Sequence, residues 1–185
     1  MKKGYNSEKE FLILKALKFF AESPYNEVYL REFARKSGLS LNTSQRFLGI
    51  FLKQGFISEF RRGNLRCFKA NLDSIIFRHI KIVFSLKDLE NSGLIDVLKD
   101  EFPQVILFGS IAKGLDDNKG DIDVVCIGVK KQLDLFEFEK KLNKEINIHF
   151  FTLAEWKKQR EKNPAFYQDV VSTGINLIGE IPIVD

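Results

Sequence analysis

Residues 105–127 read VILFGSIAKGLDDNKGDIDVVCI, and this stretch decides the fold of the second half of the chain. Its first four residues are apolar and predict a buried strand. Gly109 and Ser110 follow at once, and a polar loop then leads to a second strand that begins at Asp121. Because side chains alternate along a strand, Asp121 and Asp123 are expected on the same face.

The residue types in this stretch suit the binding of phosphate and metal ions. Glycine after a strand lets the backbone approach an anion closely, and the first N–H groups of a following helix point toward it. The hydroxyl of Ser110 adds a further donor. Two carboxylates at positions i and i+2 can share hard divalent cations, which prefer oxygen ligands. Each half of the pattern is common, so the interpretation depends on their combination.

That combination resembles the signature of the polymerase-β nucleotidyltransferase superfamily. The motifs FGSIAKG at residues 108–114 and DID at residues 121–123 are most similar to its minimal bacterial and archaeal members. The resemblance implies transfer of a nucleoside monophosphate from a nucleoside triphosphate to a hydroxyl, with Mg²⁺ as cofactor. The implied nucleotide-binding residues are Gly109, Ser110 and Lys113. The implied metal-binding and catalytic residues are Asp121 and Asp123.

A third carboxylate, which the resemblance implies for active members, is missing from the expected strand. Residues 130–145 predict an amphipathic helix and residues 145–151 predict the strand that follows it. Its same-face positions hold Glu145, Asn147 and His149. Asn or His can ligate a metal but brings no negative charge, whereas Glu145 substitutes if the register shifts by one pair. The sequence therefore predicts binding of metal and nucleotide and leaves transfer activity open.

The first 71 residues predict a separate module made of three helices and a hairpin. The predicted helices cover residues 8–20, 29–36 and 40–54, and the predicted strands cover residues 56–60 and 65–70. The turn between the strands reads RRGN. This order, together with GLSLNTSQRFL at residues 38–48, resembles winged-helix transcription regulators.

The distribution of charge supports a polyanionic partner for this module. Residues 1–71 carry 14 Lys or Arg and 6 Asp or Glu, a net charge of +8, while the remainder of the chain has a net charge of −4. A basic surface favours double-stranded DNA. In winged helices the third helix enters the major groove and the hairpin touches phosphates. The implied DNA-binding residues are Asn42, Thr43, Gln45, Arg46, Arg61, Arg62 and Arg66. The alternative is a winged helix that serves protein contacts or dimerisation.

The predicted fold class is α+β, with an N-terminal winged helix-turn-helix and a small polymerase-β-like nucleotidyltransferase α/β domain. The domains are expected at residues 1–71 and 102–185, with a helical connector at residues 72–101 that is apolar on more than one side and predicted to be buried. No apolar run is long enough for a membrane span, no signal-peptide core is present, and the two cysteines are expected as buried thiols. We therefore expect a cytoplasmic protein, and dimerisation is consistent with reading two DNA half-sites.

Three functions are compatible with these features. The first is a DNA-binding transcriptional regulator whose second domain binds nucleoside triphosphate and Mg²⁺. The second is an active nucleotidyltransferase that modifies a protein or small-molecule hydroxyl. The third is an antitoxin-like protein in which both modules serve a toxin-like protein partner.

Overall fold

The computed structural model describes residues 7–183. The first six residues of the predicted domain 1–71 and the last two of the predicted domain 102–185 lie outside the described part. The chain divides into two compact units, Met1–Lys81 and Ile82–Asp185. Each unit has its own sheet and its own apolar core.

The first unit combines helices with a three-stranded antiparallel sheet of order β1-β3-β2. Its elements are α1 (Ser7–Glu22), β1 (Val28–Tyr29), α2 (Leu30–Ser37), α3 (Leu41–Lys53), β2 (Ile57–Arg62) and β3 (Leu65–Ala70). The three helices and the hairpin therefore lie where the sequence predicts them. The short strand β1 was not predicted, because two residues are too few to show a period.

Local sequence explains where α3 begins. The hydroxyl of Ser40 caps the helix by accepting a hydrogen bond from the Thr43 N–H at 3.2 Å.

Aromatic packing holds the helices of this unit together. The core contains Phe20, Phe33 and Phe51, one from each of the three helices, and all three side chains are fully buried. The ring centroids of Phe20 and Phe33 are 5.2 Å apart, within the range of favourable aromatic pairs.

The predicted connector, residues 72–101, consists of two helices, α4 (Ile75–Ser92) and α5 (Leu94–Glu101). The chain turns between them at Gly93, where the backbone has a φ of 85°. The sequence predicts helices over residues 73–86 and 89–101, with a break at Ser92-Gly93; the structure has the break, but its first helix continues to Ser92. The boundary between the two units falls after Lys81, within α4.

Helix α4 is less buried than the sequence predicts. Phe77 is fully buried, but Ile75, Ile76 and Val83 are 61–65% exposed. The prediction of burial is wrong for these three residues, because a helix that is apolar all round has more apolar surface than one packed face covers. No helix within residues 7–183 has the length and apolar character that crossing a membrane requires.

The second unit is built on a four-stranded mixed sheet of order β6-β5-β4-β7. Strands β5 and β6 run parallel, and β4 is antiparallel to both β5 and β7. Besides α5 and the end of α4, its elements are β4 (Gln104–Phe108), α6 (Gly109–Ala112), β5 (Ile122–Ile127), α7 (Phe136–Leu142), β6 (Ile146–Phe151), α8 (Leu153–Lys162), α9 (Pro164–Thr173) and β7 (Ile175–Ile178).

Apolar clusters cover both faces of this sheet, which explains the uninterrupted apolar run of β4. Val105 and Leu107 pack in one cluster, together with residues of α5. Ile106 and Phe108 pack in the other, together with residues of α8 and α9. A strand buried on both sides has no polar positions to alternate with. The same alternation places Asp123 on the α8–α9 face of β5, because Val125 belongs to the second cluster.

The helix predicted for residues 130–145 is shorter than expected. Helix α7 covers Phe136–Leu142 only. The Asp134 carboxylate accepts a hydrogen bond from the Phe136 N–H at 3.2 Å, which favours a turn before the helix. Asn143 ends the helix in the left-handed conformation, with a φ of 51°. The amphipathic pattern alone did not show these local hydrogen-bonding preferences.

Candidate nucleotide and metal site

Two carboxylates lie at the start of β5, as the sequence predicts. Asp121 immediately precedes the strand and is exposed, whereas Asp123 is its second residue and is half-buried. Asp123 lies opposite Phe108 in the antiparallel pairing with β4. The site therefore sits where β4 ends and β5 begins, beside the Gly109–Ser110 turn.

The parallel strand β6 brings Asn147 to the carboxylates. Asp123 and Asn147 are register partners in the pairing of β5 with β6. The Nδ2 atom of Asn147 donates to Oδ2 of Asp121 at 3.2 Å and to Oδ1 of Asp123 at 3.4 Å. One amide thus connects both carboxylates. A half-turn of the same side chain would present its carbonyl oxygen instead, which is an acceptor for a cation.

The other two residues considered for this position have different surroundings. His149 lies two residues after Asn147 on the same face of β6 and pairs with Val125. The centroid of its ring is 5.4 Å from that of Phe108. A second ring, that of Phe166, lies 5.5 Å away. Glu145 precedes β6, and its backbone carbonyl accepts a hydrogen bond from the Ile122 N–H at 2.8 Å. Of these residues, Asn147 is the one whose side chain contacts both Asp121 and Asp123.

Gly109 is required at its position by two independent features of the backbone. Its φ is 74°, a conformation that side chains with a Cβ rarely adopt. A Cβ at this position would lie 2.5 Å from Oδ2 of Asp123. The glycine therefore lets the end of β4 pass directly against the Asp123 carboxylate. Ser110 follows as the second residue of α6 and is half-buried.

Lys113, which the resemblance assigns to the triphosphate, has a carboxylate partner in the structure. Its Nζ atom lies 2.6 Å from Oδ1 of Asp169 in α9, and both side chains are about one-third exposed. The Thr173 hydroxyl donates to the Asp169 backbone carbonyl at 2.8 Å. The sequence did not reveal this ion pair, because 56 positions separate its partners and no periodic pattern connects them.

The donor set fits a divalent cation in part. Two carboxylates and an amide that offers a carbonyl oxygen are the hard ligands that Mg²⁺ prefers, and Mg²⁺ commonly binds through one or two carboxylates with water or phosphate oxygens completing its shell. Among the described residues, no group of three or more His, Cys, Asp and Glu side chains is arranged to hold a metal ion. A cation at this site would therefore complete its shell with water or with oxygens of a bound phosphate.

The residues predicted to bind DNA lie on two elements of the first unit. On α3, Asn42, Gln45 and Arg46 are exposed, whereas Thr43 is half-buried. The Thr43 hydroxyl accepts a hydrogen bond from the Ser40 hydroxyl at 2.9 Å, which ties it to the start of the helix. Three of the four predicted side chains on α3 are thus exposed to solvent.

The three arginines of the hairpin are all exposed but have different partners. Arg62 forms an ion pair with Glu27 at 2.6 Å. Arg66 holds Glu59 with two hydrogen bonds of 2.6 and 2.7 Å, and this contact lowers the pKa of the Glu59 carboxyl. An exposed ion pair with one contact contributes little free energy, so Arg62 can exchange Glu27 for phosphate at low cost, whereas the two-bond contact of Arg66 with Glu59 costs more to break. Gln45 of α3 and Arg66 of the hairpin line one cleft of about 930 Å³.

Comparison with known proteins finds a family match within the second unit. Residues 92–167 match the model of the nucleotidyltransferase domain family. This range begins at the end of α4 and includes β4, β5, β6 and both carboxylates. No curated protein matches the chain. The chain thus contains a nucleotidyltransferase-like domain, in agreement with the resemblance of the Gly-Ser and Asp-x-Asp motifs.

Proposed function

We propose that this protein is a winged-helix DNA-binding protein, acting as a transcriptional regulator, whose nucleotidyltransferase-like domain binds a nucleoside triphosphate together with Mg²⁺. The nucleotide-binding part of the proposal is carried by the cluster of Gly109, Asp121, Asp123 and Asn147. The DNA-binding part is supported by the exposed polar and basic side chains of α3 and the hairpin. Asp121, Asp123 and Asn147 offer hard oxygen ligands for a cation. Gly109 places a turn suited to phosphate directly against the Asp123 carboxylate.

Each residue of the cluster has a distinct role in this proposal. Asp121 and Asp123 hold the cation, and Asn147 turns its carbonyl oxygen toward it. Gly109 and Ser110 bind the phosphates through backbone N–H groups and the serine hydroxyl. When bound, Mg²⁺ supplies positive charge that neutralises the triphosphate and polarises its phosphorus–oxygen bonds.

Asn147 makes binding better supported than nucleotidyl transfer. A neutral amide holds the position at which the family resemblance implies a third carboxylate. The site then has two formal negative charges in place of three, which weakens its hold on a cation that must activate an incoming hydroxyl. Binding of the nucleotide requires less charge, because the triphosphate itself brings oxygen ligands to the metal.

Calorimetric titration of the full chain with nucleoside triphosphates tests the nucleotide-binding part of the proposal. We expect binding with Mg²⁺ and at least about tenfold weaker binding with a chelator. The double variant Asp121→Asn/Asp123→Asn should lose the Mg²⁺-dependent part. A control with the same change in charge is Asp96→Asn/Asp100→Asn, which alters two residues of α5. Equal binding by the wild type and the Asp121/Asp123 variant would contradict the proposal.

Incubation with labelled nucleoside triphosphate, Mg²⁺ and candidate acceptors tests the alternative of an active transferase. Wild-type protein that labels an acceptor above the level of Asp121→Ala/Asp123→Ala would assign transfer activity to the domain. We expect no label above that control under conditions in which the nucleotide binds.

A further inference from the structure

Lys144 lies between α7 and β6 and contacts the loop that leads to the metal-binding carboxylates. Its side chain is 16% exposed. The ammonium group donates to the backbone carbonyl of Asp117 and, at 3.1 Å, to that of Gly120. It also lies 3.5 Å from Oδ2 of Asp116, a side chain that is 6% exposed. Lys144 therefore faces three oxygens of a single loop.

Asp121 follows this loop directly and precedes the first residue of β5. Its two chain neighbours, Gly120 and Ile122, are bound by Lys144 and Glu145, the two residues that directly precede β6. Lys144 binds the carbonyl of Gly120, and the carbonyl of Glu145 accepts a hydrogen bond from the Ile122 N–H at 2.8 Å. The backbone of Asp121 is thus fixed from both sides.

We propose that Lys144 is a positioning residue for the cation site: it fixes the loop of residues 115–120 so that the carboxylate of Asp121 stays beside that of Asp123. The inference rests on the proposed function, since it concerns the affinity of that site for a divalent cation. A largely buried ammonium is costly to desolvate, and bonds to several oxygens offset that cost. The arrangement therefore holds the loop with charge-assisted hydrogen bonds in addition to its own backbone turns.

Two explanations of Lys144 predict opposite changes in the affinity for a divalent cation when the lysine is removed. If the lysine acted on the site only through its charge, its loss would remove a nearby cation and strengthen divalent binding to the two aspartates. If it positions Asp121, its loss frees the loop and weakens divalent binding. Loss of a residue that orients a metal ligand typically lowers metal affinity by about 10- to 100-fold. The direction of the change therefore decides between them.

The experiment is a Mn²⁺ titration of the full chain, followed by electron paramagnetic resonance of the free ion. We expect Lys144→Met to weaken Mn²⁺ binding by about 10- to 100-fold and Lys144→Arg, which keeps the charge and the donors, to retain much of the affinity. Lys119→Met is the matched control, because it removes an exposed lysine of the same loop. Its Mn²⁺ affinity should be unchanged or higher.

Hydrogen exchange distinguishes a local effect from loss of the fold. In Lys144→Met the amides of residues 115–121 should exchange faster, while those of β4 and β5 stay protected. If Lys144→Met does not fold, Lys144→Gln, which keeps two donors, should give an intermediate loss of affinity. Unchanged or tighter binding in a folded Lys144 variant would overturn this inference alone. Failure of the wild type to bind Mn²⁺ at all would overturn the metal site of the proposed function and this inference with it.

Discussion

Gly109 shows how one residue links backbone conformation to the candidate site. The sequence predicts a glycine that approaches an anion, and the structure adds that it also makes room for Asp123. A φ of 74° and a Cβ position 2.5 Å from the Asp123 carboxylate give alanine two separate penalties there. The second penalty affects stability and also the orientation of Asp123, a residue of the proposed cation site.

We therefore predict that Gly109→Ala both destabilises the second unit and weakens Mg²⁺-dependent nucleotide binding. The left-handed conformation alone costs a residue with a Cβ about 1–2 kcal/mol. Gly93→Ala is a suitable control, since its φ is 85° but the nearest atom to a new Cβ lies 3.9 Å away. Urea unfolding can be followed by the fluorescence of Trp156, the single tryptophan, which is fully buried in this unit. Equal losses of stability and equal nucleotide affinity in the two variants would contradict this prediction.

Two other residues show what the sequence could and could not predict at this scale. The sequence offers Glu145, Asn147 and His149 as candidates for the third ligand beside the two aspartates. Alternation along a strand shows that these residues share a face, but it does not show which of them pairs with Asp123. In the structure Asn147 pairs with Asp123 and contacts both carboxylates. The resemblance assigns Lys113 to the nucleotide, but the ion pair of Lys113 with Asp169 on α9 forms through the packing of the helices. Register and side-chain partners across the fold depend on tertiary packing.

At the scale of single elements, α8 carries a complete capping box at its start. The Thr152 hydroxyl accepts from the Glu155 N–H at 3.2 Å, and the Glu155 carboxylate accepts from the Thr152 N–H at 2.8 Å. Hydrogen bonds from the Thr152 backbone and then from its hydroxyl lower the pKa of Glu155. The helix also carries Trp156, so its start supports the apolar cluster beneath the site.

This cap predicts a specific dependence of stability on pH. Because the pKa of Glu155 is lowered on folding, its contribution is present above the ordinary glutamate pKa of about 4.3 and is lost as pH falls through the lowered value. Glu155→Gln should remove this part of the acid sensitivity. Thr152→Ala should reduce stability at pH 7 by about 1 kcal/mol. Urea unfolding between pH 7 and pH 3, with Trp156 fluorescence, measures both, and an unchanged acid limb in Glu155→Gln would refute the role of the cap.

The hairpin of the first unit gives a second prediction at this scale. Arg61 is exposed at its tip, and Arg62 and Arg66 exchange surface ion pairs for phosphate in the proposed complex. Removing one arginine that binds a phosphate should reduce the slope of log affinity against log salt by about 1. We expect Arg61→Gln to weaken binding to duplex DNA of any sequence by this mechanism. Lys15→Gln, at an exposed position of α1, is the control, and an equal effect of the two variants would argue against binding of phosphate by the hairpin.

The sequence predicted the elements from α1 to β6 except β1, but it did not predict α8, α9 or β7, and it misjudged some lengths. The ends of α3 were predicted, because Ser40 can cap the start of the helix and Gly55 can stop it. Helix α7 was predicted too long, because a sequence rich in charged and apolar residues satisfies a helical pattern even where a turn forms. Caps are local chemistry and can be read from the sequence, whereas competition between a turn and a helix depends on small local differences.

At the scale of the whole molecule, two compact units coincide with two different distributions of charge. Residues 1–81 carry 16 Lys or Arg and 7 Asp or Glu, a net charge of +9, and residues 82–185 carry 13 and 18, a net charge of −5. Composition and motif order therefore predicted two modules, and the division after Lys81 lies within the segment that was expected to connect them. The family match covers residues 92–167 and supports a nucleotidyltransferase-like domain in the second module. The role of the first module remains part of the proposal.

Replacing Asn147 by Asp tests most directly the claim that Asn147, Asp121 and Asp123 form one cation site. We predict that Asn147→Asp lowers stability without metal, because three carboxylates then repel one another. It should also strengthen Mg²⁺-dependent nucleotide binding by about tenfold or more, since added ligand charge raises affinity for hard cations. Asn176→Asp, the same change at an exposed position of β7, should alter neither property. Nucleotide affinity that is unchanged or weaker in Asn147→Asp, measured by calorimetry with Mg²⁺, would contradict the account.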